Sequence, residues 1–403
     1  MRQNTRYRGM DVDYKTIYGI GLAPLDPPDP LDPDALDPRR LARANFTTDE
    51  TVAAFTTDNQ LQADFTTGGI KHTLLAGLDY QHNKFTQLGT AGPAGSIDMF
   101  NPVYGAPIPD DQEVFIDADT TLSQIGVYLQ EQAKIADRWV VTLGGRYDWA
   151  STEVDDKRAG ATEQDDREFT WKAGILYLAP NGLAPYFSYT ESFFPQAGTD
   201  DDTGEPFKPE TGQQYEVGIK YQPTSFKGLF TAAAFDITRQ NYLTFDNDFS
   251  ARQTGEIRSR GLEFEATAEV AEGVDLIAAY TWLPQFEITK SSAPEEVGKR
   301  EPTVPEHMAS LWLHYRFRYG PLTGFGFGGG VRYIGETFGD IANSNRLTVP
   351  DYTLFDAVVD YEEDGWRFAV NVANIEDETT LTCFDTCYFG AGQTIIASVR
   401  RRW

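Results

Sequence analysis

The connections between strand-like segments alternate in length along the whole chain. About sixteen such segments can be counted, and they are joined in turn by a few residues and by roughly ten to thirty. The short connections are 66–69, 135–138, 178–182, 222–227, 271–274, 318–323 and 362–365. The long ones are 21–40, 85–120, 151–167, 194–213, 246–255, 286–307, 337–351 and 381–392, all rich in Gly, Pro, Asp, Ser or Thr. The pattern predicts an antiparallel sheet with tight turns at one end and long loops at the other.

The segment from Trp139 to Trp149 indicates that this sheet spans a membrane. Its apolar residues share one face and its polar residues the other. Ten residues rising about 3.3 Å each, tilted by about 45°, cover roughly 23 Å, close to the ~25 Å apolar band of outer-membrane barrels. Aromatic residues at both ends of the segment fit the two membrane interfaces. The segments 215–221 and 309–317 alternate in the same way.

A half-buried sheet of a soluble sandwich would alternate too. The unequal loop lengths, the aromatic residues at the strand ends and the lack of any helical segment able to cover a large sheet favour the membrane. We therefore predict an all-β fold, a transmembrane antiparallel β-barrel, forming one domain over residues 1–403. No run of about 18 apolar residues predicts a membrane helix.

The net charge of −27 excludes one class of partner. The excess acid lies in the long connections, and so strongly acidic a chain is not expected to bind nucleic acid. The acidic residues either form a solvated loop surface or select the charge of a ligand; they include Asp26, Asp29, Asp32, Asp34, Asp37, Asp200, Asp201 and Asp202. The four scattered His residues have no metal-ligand spacing, so no metal site is expected.

Cys383 and Cys387 are the two cysteines of the chain and lie four residues apart in the last long connection. In an oxidising compartment they predict a local disulfide, although a free pair or a redox-active pair is also compatible with the spacing. Residues 1–10 contain no apolar export segment, so we do not expect the chain to be a complete exported precursor. The last strand, 393–403, ends on Trp403, a terminal aromatic of the kind that outer-membrane barrels present for assembly.

Several stretches resemble TonB-dependent siderophore receptors, specifically those for ferrichrome and other ferric hydroxamates. The resemblance runs in order along nearly the whole chain. It rests on YFSYTESFFP at 186–195, FKPETGQQYEVGIKY at 207–221, FTWKAG at 169–174, GEIRSRGLEFE at 255–265, VPEHMASLW at 304–312, NVANIED at 371–377 and CFDTCYFGAG at 383–392. Residues 1–18 and 58–78 point to the hydroxamate branch.

The resemblance implies a receptor barrel of about 22 strands that holds an N-terminal plug domain. About sixteen strands are counted here, so we expect this chain to correspond to the C-terminal part of such a barrel, with the plug and the first six strands absent. The implied partners are a ferric siderophore, outer-membrane lipid, and the TonB complex through the plug. Iron is carried by oxygens of the siderophore, so no protein cofactor is expected.

The resemblance also implies ligand-binding residues. Tyr18 occupies a position where hydroxamate receptors use a tyrosine, and Phe384 matches an aromatic presented by the last loop. Ile20 replaces the companion aromatic of Tyr18. Further candidates are Tyr104, Phe100, Tyr388 and Phe389. For all six, ordinary packing in the membrane girdle or in loops is the alternative explanation.

Acidic loops repel polyanionic ferric catecholates and suit neutral or mildly cationic ferric hydroxamates. The sequence therefore predicts uptake of a ferric hydroxamate at the cell outer membrane, by a receptor and not an enzyme; no nucleophile setting such as GxSxG is present. Two alternatives remain at this point. The chain could close into a passive porin-like channel, or it could be a non-functional fragment of a truncated or split gene.

Overall fold

Antiparallel strands account for most of the chain in the computed structural model, as the alternation of apolar and polar residues predicts. The structure describes residues 1–25, 35–109, 112–200, 203–245, 251–253, 255–384 and 386–402. Sixteen of the strands form one sheet in which neighbouring strands follow the order of the chain, and three small hairpins lie in the loops between them. The all-β prediction is confirmed.

The strands are β1 (Arg2–Pro24), β2 (Leu36–Thr67), β3 (Ile70–Asp98), β4 (Glu113–Ile135), β5 (Trp139–Asp156), β6 (Gly160–Tyr177), β7 (Leu183–Phe194), β8 (Glu210–Tyr221), β9 (Gly228–Gln240), β10 (Leu243–Phe245), β11 (Ala251–Gln253), β12 (Glu256–Ala271), β13 (Val274–Lys290), β14 (His307–Arg316), β15 (Phe325–Ile334), β16 (Thr337–Phe338), β17 (Thr348–Val349), β18 (Tyr352–Glu363), β19 (Trp366–Ala373), β20 (Leu381–Phe384), β21 (Thr386–Phe389) and β22 (Thr394–Arg401). Two 3₁₀ turns, Pro294–Glu296 and Asn345–Leu347, lie in loops. No helix in this described part of the chain is long and apolar enough to span a membrane.

The two faces of the sheet differ as expected for a membrane barrel. On β5 the side chains of Trp139, Leu143 and Trp149 point outward and are exposed, whereas Asp148 on the opposite face is 2% exposed. Arg146, on the same face as Asp148, donates hydrogen bonds to Asp148 and to Asp79 of β3. The outward face is therefore the lipid-facing one, and the inner face carries the polar groups of the lumen.

Glycines on the inner face leave room for large polar side chains of the neighbouring strand. A side chain at Gly126 would overlap the guanidinium group of Arg146, and one at Gly330 would overlap the indole of Trp312. The glycine-rich segment around Gly330 lies in β15, where small residues permit close packing.

The first strands of the sheet, β1 to β6, extend further on the long-loop side than the later strands do. β2 and β3 contain 32 and 29 residues, whereas β7 and β8 contain 12 each. About ten tilted residues suffice to cross a bilayer, so β1 to β6 continue well beyond the membrane on the long-loop side. We call this extension, residues 11–24, 36–54, 83–98, 113–123 and 150–167, the tall wall.

The tall wall corrects the predicted loop boundaries. Much of the predicted loops 21–40, 85–120 and 151–167 is paired strand, with β3 continuing to Asp98 and β5 to Asp156. These segments contain Gly, Pro, Thr and Asp because both of their faces lie outside the lipid. The apolar alternation that reveals a strand inside the membrane is therefore lost there.

The sheet has two edges. Among the described residues β1 pairs only with β2, and β22 pairs only with β19. The sixteen strands thus form a curved open wall, and not a closed barrel.

Candidate functional site

Four aromatic side chains cluster on the inner face of the tall wall. The rings of Tyr14 and Tyr18 on β1 meet Phe46 of β2 edge to face, with centroids 6.3 and 6.1 Å away. Phe46 stacks on Phe115 of β4 at 4.9 Å. We call Tyr14, Tyr18, Phe46 and Phe115 the aromatic patch; it offers flat apolar surface above the lumen.

A β-bulge places Phe115 in this patch. In the pairing of β3 with β4, Gly89 faces Ile116 and Thr90 faces Val114, so Phe115 is the extra residue. A bulge of this kind redirects a side chain, and here Phe115 and Ile116 both lie over Gly89. A side chain at Gly89 would overlap both of them.

Tyr18 is held as a neutral phenol. Its hydroxyl shares a hydrogen bond with the hydroxyl of Tyr14, with the two oxygens 2.8 Å apart. That bond, partial burial and the nearby Tyr388 raise the pKa of Tyr18 to about 12. The effect of Tyr388 on this pKa indicates that the last loop lies near the aromatic patch, although the two residues lie near opposite ends of the chain.

The last loop is built on a disulfide between Cys383 and Cys387. It closes the hairpin of β20 and β21. Cys383 is buried, and a side chain at Gly339 would come within 2.7 Å of its Cβ, so the hairpin is seated against the loop between β15 and β18. The aromatic residues of the hairpin remain exposed: Phe384 by 43%, Tyr388 by 58% and Phe389 by 78%.

Phe100 and Tyr104 lie in the connection between β3 and β4 and are 74% and 77% exposed. The guanidinium of Arg39 lies 5.5 Å from the centre of the Phe100 ring. The carboxylate of Asp98 accepts the backbone N–H groups of Phe100 and Asn101, which lowers the pKa of Asp98. The loop is thus anchored at its base and presents aromatic residues at its tip.

Beside the aromatic patch the tall wall carries a cavity of about 320 Å³, which we call the wall pocket. Inner-face residues of β3, β4 and β5 form its floor, and the loop between β7 and β8 together with Leu243 covers it. Its lining consists of Phe85, Gln87, Ile116, Ala118, Thr120, Val154, Asp156, Ala197, Gly198, Thr199, Phe207 and Leu243.

We call the space between the long loops, above the lumen, the vestibule. A polar cluster joins two of these loops. Arg239 donates two hydrogen bonds to Glu210, at 2.7 and 2.9 Å, and lies over the Tyr242 ring at 4.7 Å. The Tyr242 hydroxyl donates to Glu301 at 3.2 Å. Burial raises the pKa of Glu301, against the effect of that hydrogen bond. The cluster fixes the loop before β14 to the outer end of β9.

Deeper in the sheet lies a cavity of about 480 Å³ that both polar and apolar residues line. Arg146 is bound there between Asp79 and Asp148, and the Tyr128 hydroxyl donates to Asp58 at 2.7 Å. Within the described ranges no group of three or more His, Cys, Asp or Glu side chains could hold a metal ion.

The structure brings some of the sequence-predicted residues together. Tyr388 lies near enough to Tyr18 to affect its pKa, whereas the ring contact given for Phe100 is with Arg39. Sequence reasoning missed Phe46, Phe115 and the wall pocket, because they lie in segments assigned to loops or next to them. Large apolar residues at regular spacing inside such a loop would have been the available signal. Trp403, Asp26, Asp29, Asp32, Asp34, Asp201 and Asp202 lie outside the described residues.

Comparison with known proteins gives a consistent set of relatives. Residues 1–375 match the family model "TonB dependent receptor-like, beta-barrel". The chain is 37% identical over 428 aligned positions to the ferrichrome outer membrane transporter/phage receptor of Escherichia coli K12, covering 100% of this chain and 56% of that protein. It is 36% identical to the ferrioxamine B receptor of Salmonella typhimurium, covering 99% of this chain and 55% of that protein. The chain thus spans about half the length of these curated relatives.

Solved structures share the fold. The siderophore receptor PiuA from Acinetobacter baumannii superposes with a TM-score of 0.81 at 22% identity, covering 99% of this chain and 61% of that one. The ferric-catecholate import receptor Fiu from E. coli K12, in its closed form, gives a TM-score of 0.81 at 21% identity, with the same coverage. At such low identity the likeness concerns the fold alone.

Proposed function

The chain belongs to the family of TonB-dependent receptor-like β-barrels, and from this premise we propose that it forms the ligand-facing wall of an outer-membrane receptor for a ferric hydroxamate siderophore. The observation that carries the proposal is the aromatic patch beside the last loop. The hydroxamate class is supported by the two relatives named above, which are described as receptors for ferrichrome and for ferrioxamine B.

The chemistry of the vestibule suits this ligand class. A ferric hydroxamate holds its iron through its own oxygens, so the receptor needs no metal ligands and the iron is cargo. Its outer surface is largely apolar and carries little negative charge, so flat aromatic rings recognise it by apolar contact. The net charge of −27 favours a neutral or cationic chelate over an anionic one.

We assign the ligand contacts to Tyr18, Phe384, Tyr388 and Phe389 around the aromatic patch. Phe100 and Tyr104 are proposed as contacts made when their loop bends over the vestibule. Residues 1–403 are proposed to act as one barrel domain. In the family resemblance TonB acts on the plug domain, and we assign no residue of 1–403 to that contact.

The proposal is tested by ligand preference. The chain is folded in detergent and titrated by calorimetry with a neutral ferric trihydroxamate and, separately, with an anionic ferric tricatecholate. We expect tighter binding of the trihydroxamate, because the acidic vestibule repels the tricatecholate. A clear preference for the tricatecholate would overturn the assignment.

A further inference from the structure

We propose that the wall pocket binds an aliphatic chain of the ligand, so that the receptor takes an amphiphilic ferric hydroxamate. The iron-bearing head would rest on the aromatic patch and the chain would enter the cavity. This inference rests on the proposed function and narrows its ligand class.

The lining of the wall pocket suits a hydrocarbon chain. Its floor is made of Phe85, Ile116, Ala118 and Val154, and Leu243 closes one side. None of these five side chains has a polar atom, so together they offer a continuous apolar surface to an apolar group. A volume of about 320 Å³ is at the lower end of ligand pockets, so the cavity holds part of a ligand and not a whole chelate.

Two polar side chains of the pocket, those of Gln87 and Asp156, already have partners in the wall. The Gln87 side chain donates to Glu50 at 2.9 Å. The Asp156 carboxylate accepts the backbone N–H groups of Arg158 and Ala159. Because these groups are hydrogen-bonded within the tall wall, they have little hydrogen-bonding capacity left for a polar ligand. Binding in the pocket therefore rests mainly on apolar contact.

The cover of the pocket is an ordered part of the structure. Phe207, from the loop between β7 and β8, is 4% exposed, and its backbone N–H donates to the Gly198 carbonyl at 3.1 Å. A side chain at Gly198 would come within 3.2 Å of the Phe207 ring. Residues 197–199 and Phe207 therefore lie over the inner face of the tall wall and cover part of the cavity.

The pocket is continuous with the aromatic patch. Ile116 lines the pocket, and its neighbour Phe115 belongs to the patch. Both side chains lie over Gly89 because of the bulge in β4. One ligand can thus contact the aromatic patch and the wall pocket at the same time, because no backbone segment separates them.

The test uses a series of synthetic ferric trihydroxamates that share one head and carry acetyl, hexanoyl or decanoyl chains. Each methylene that enters the pocket should tighten binding about fourfold, up to the length at which the cavity is full. Titration of the folded chain in detergent measures this increment.

Two neighbouring threonines of β4 give a matched pair of variants. Thr120 lines the pocket, whereas Thr121 faces the opposite side of the same strand. Thr120→Trp should abolish the gain with chain length, while Thr121→Trp should keep it. Circular dichroism of each variant in detergent checks folding; if Thr120→Trp does not fold, Val154→Phe with Glu153→Phe as its control replaces the pair.

The outcomes separate this inference from the proposed function. If the acetyl compound binds but affinity does not rise with chain length, the inference is wrong and the proposed function stands. If no trihydroxamate binds, the pocket is tested with the iron-free fluorescent probe dansyl-undecanoic acid. Fluorescence enhancement that is lost in Thr120→Trp and kept in Thr121→Trp supports binding of an aliphatic chain in the wall pocket. No enhancement with the unaltered chain overturns the inference.

Discussion

Tyr18 contributes a ring and a hydroxyl to the proposed site, and the two can be separated. Its ring contacts Phe46, and its hydroxyl is bonded to Tyr14. Aromatic contacts contribute about 0.5–1.5 kcal/mol beyond buried area, so Tyr18→Ala should weaken binding of a ferric trihydroxamate by a factor between about 2 and about 13. Tyr18→Phe should bind within about twofold of the unaltered chain. Titration calorimetry measures both.

Tyr7 provides the control for these variants. It lies on the outward face of the same strand and is 73% exposed, so Tyr7→Ala should leave the affinity unchanged. An equal loss in Tyr7→Ala and Tyr18→Ala would show that the strand, and not the patch, had been disturbed.

The raised pKa of Tyr18 predicts a flat pH profile. Its pKa is raised from 10.0 to about 12, so the phenol is neutral throughout the physiological range. The contribution of the Tyr14–Tyr18 bond to stability is fully present below pH 10 and is lost as the pH rises toward 12. Ligand affinity measured between about pH 6 and 9 should therefore be constant; a Tyr18-dependent decline within that range would contradict the assignment.

The disulfide predicts a redox effect confined to the last loop. Reduction frees a hairpin that presents Phe384, Tyr388 and Phe389, so ordering it on the ligand costs additional conformational entropy. We expect Cys383→Ser/Cys387→Ser to bind a ferric trihydroxamate several-fold more weakly, with faster dissociation and an unchanged thermal transition of the sheet. Surface plasmon resonance and circular dichroism measure these.

A reducing agent supplies the control for the double variant. It should weaken binding by the unaltered chain to the level of Cys383→Ser/Cys387→Ser and leave that variant unchanged. If the reducing agent weakened binding equally in both proteins, its effect would not come from the disulfide of the last loop.

At the scale of strands, Gly126 shows how the inner face is packed. A side chain there would overlap Arg146, which is held by Asp79 and Asp148 on either side. Forcing extra atoms into such a site costs about 1–3 kcal/mol, so Gly126→Ala should lower the unfolding free energy by that amount. Gly9→Ala, where the nearest atom would be 4.0 Å away, should change it by less than about 0.5 kcal/mol. Urea unfolding in detergent compares the two; equal values would refute the packing argument.

The strands could be predicted from the sequence inside the membrane but not above it. Inside the membrane the lipid enforces alternation, so segments such as Trp139 to Trp149 and 215–221 indicate their strands and their faces directly. Above the membrane both faces of a strand lie outside the lipid, so the alternation is absent. β2 and β3 extend through segments whose composition predicts loops. The aromatic patch lies in that extension, so Phe46 and Phe115 could not be placed from sequence. Their convergence depends on a bulge and on pairing across three strands.

At the scale of the whole molecule, the open edges decide whether the chain can act as a channel. Each edge strand carries backbone N–H and C=O groups that no neighbour satisfies in the described structure. In hydrocarbon every such group costs several kcal/mol, so an isolated sheet with two edges cannot remain stably inserted. A closed sixteen-stranded pore would have to form new pairs between β1 and β22, which differ in length by 15 residues (23 and 8).

We therefore expect the purified chain alone to give no stable conductance in planar bilayers and no heat-resistant form on gels. A complementing fragment, the part of the E. coli ferrichrome relative outside the aligned region, is added to the chain; a heat-resistant barrel should form when strands of that fragment pair with both edges. The fragment alone serves as the control. Steps of uniform conductance from the chain by itself would contradict the open sheet and favour the porin-like alternative, since a uniform pore requires that β1 and β22 have paired.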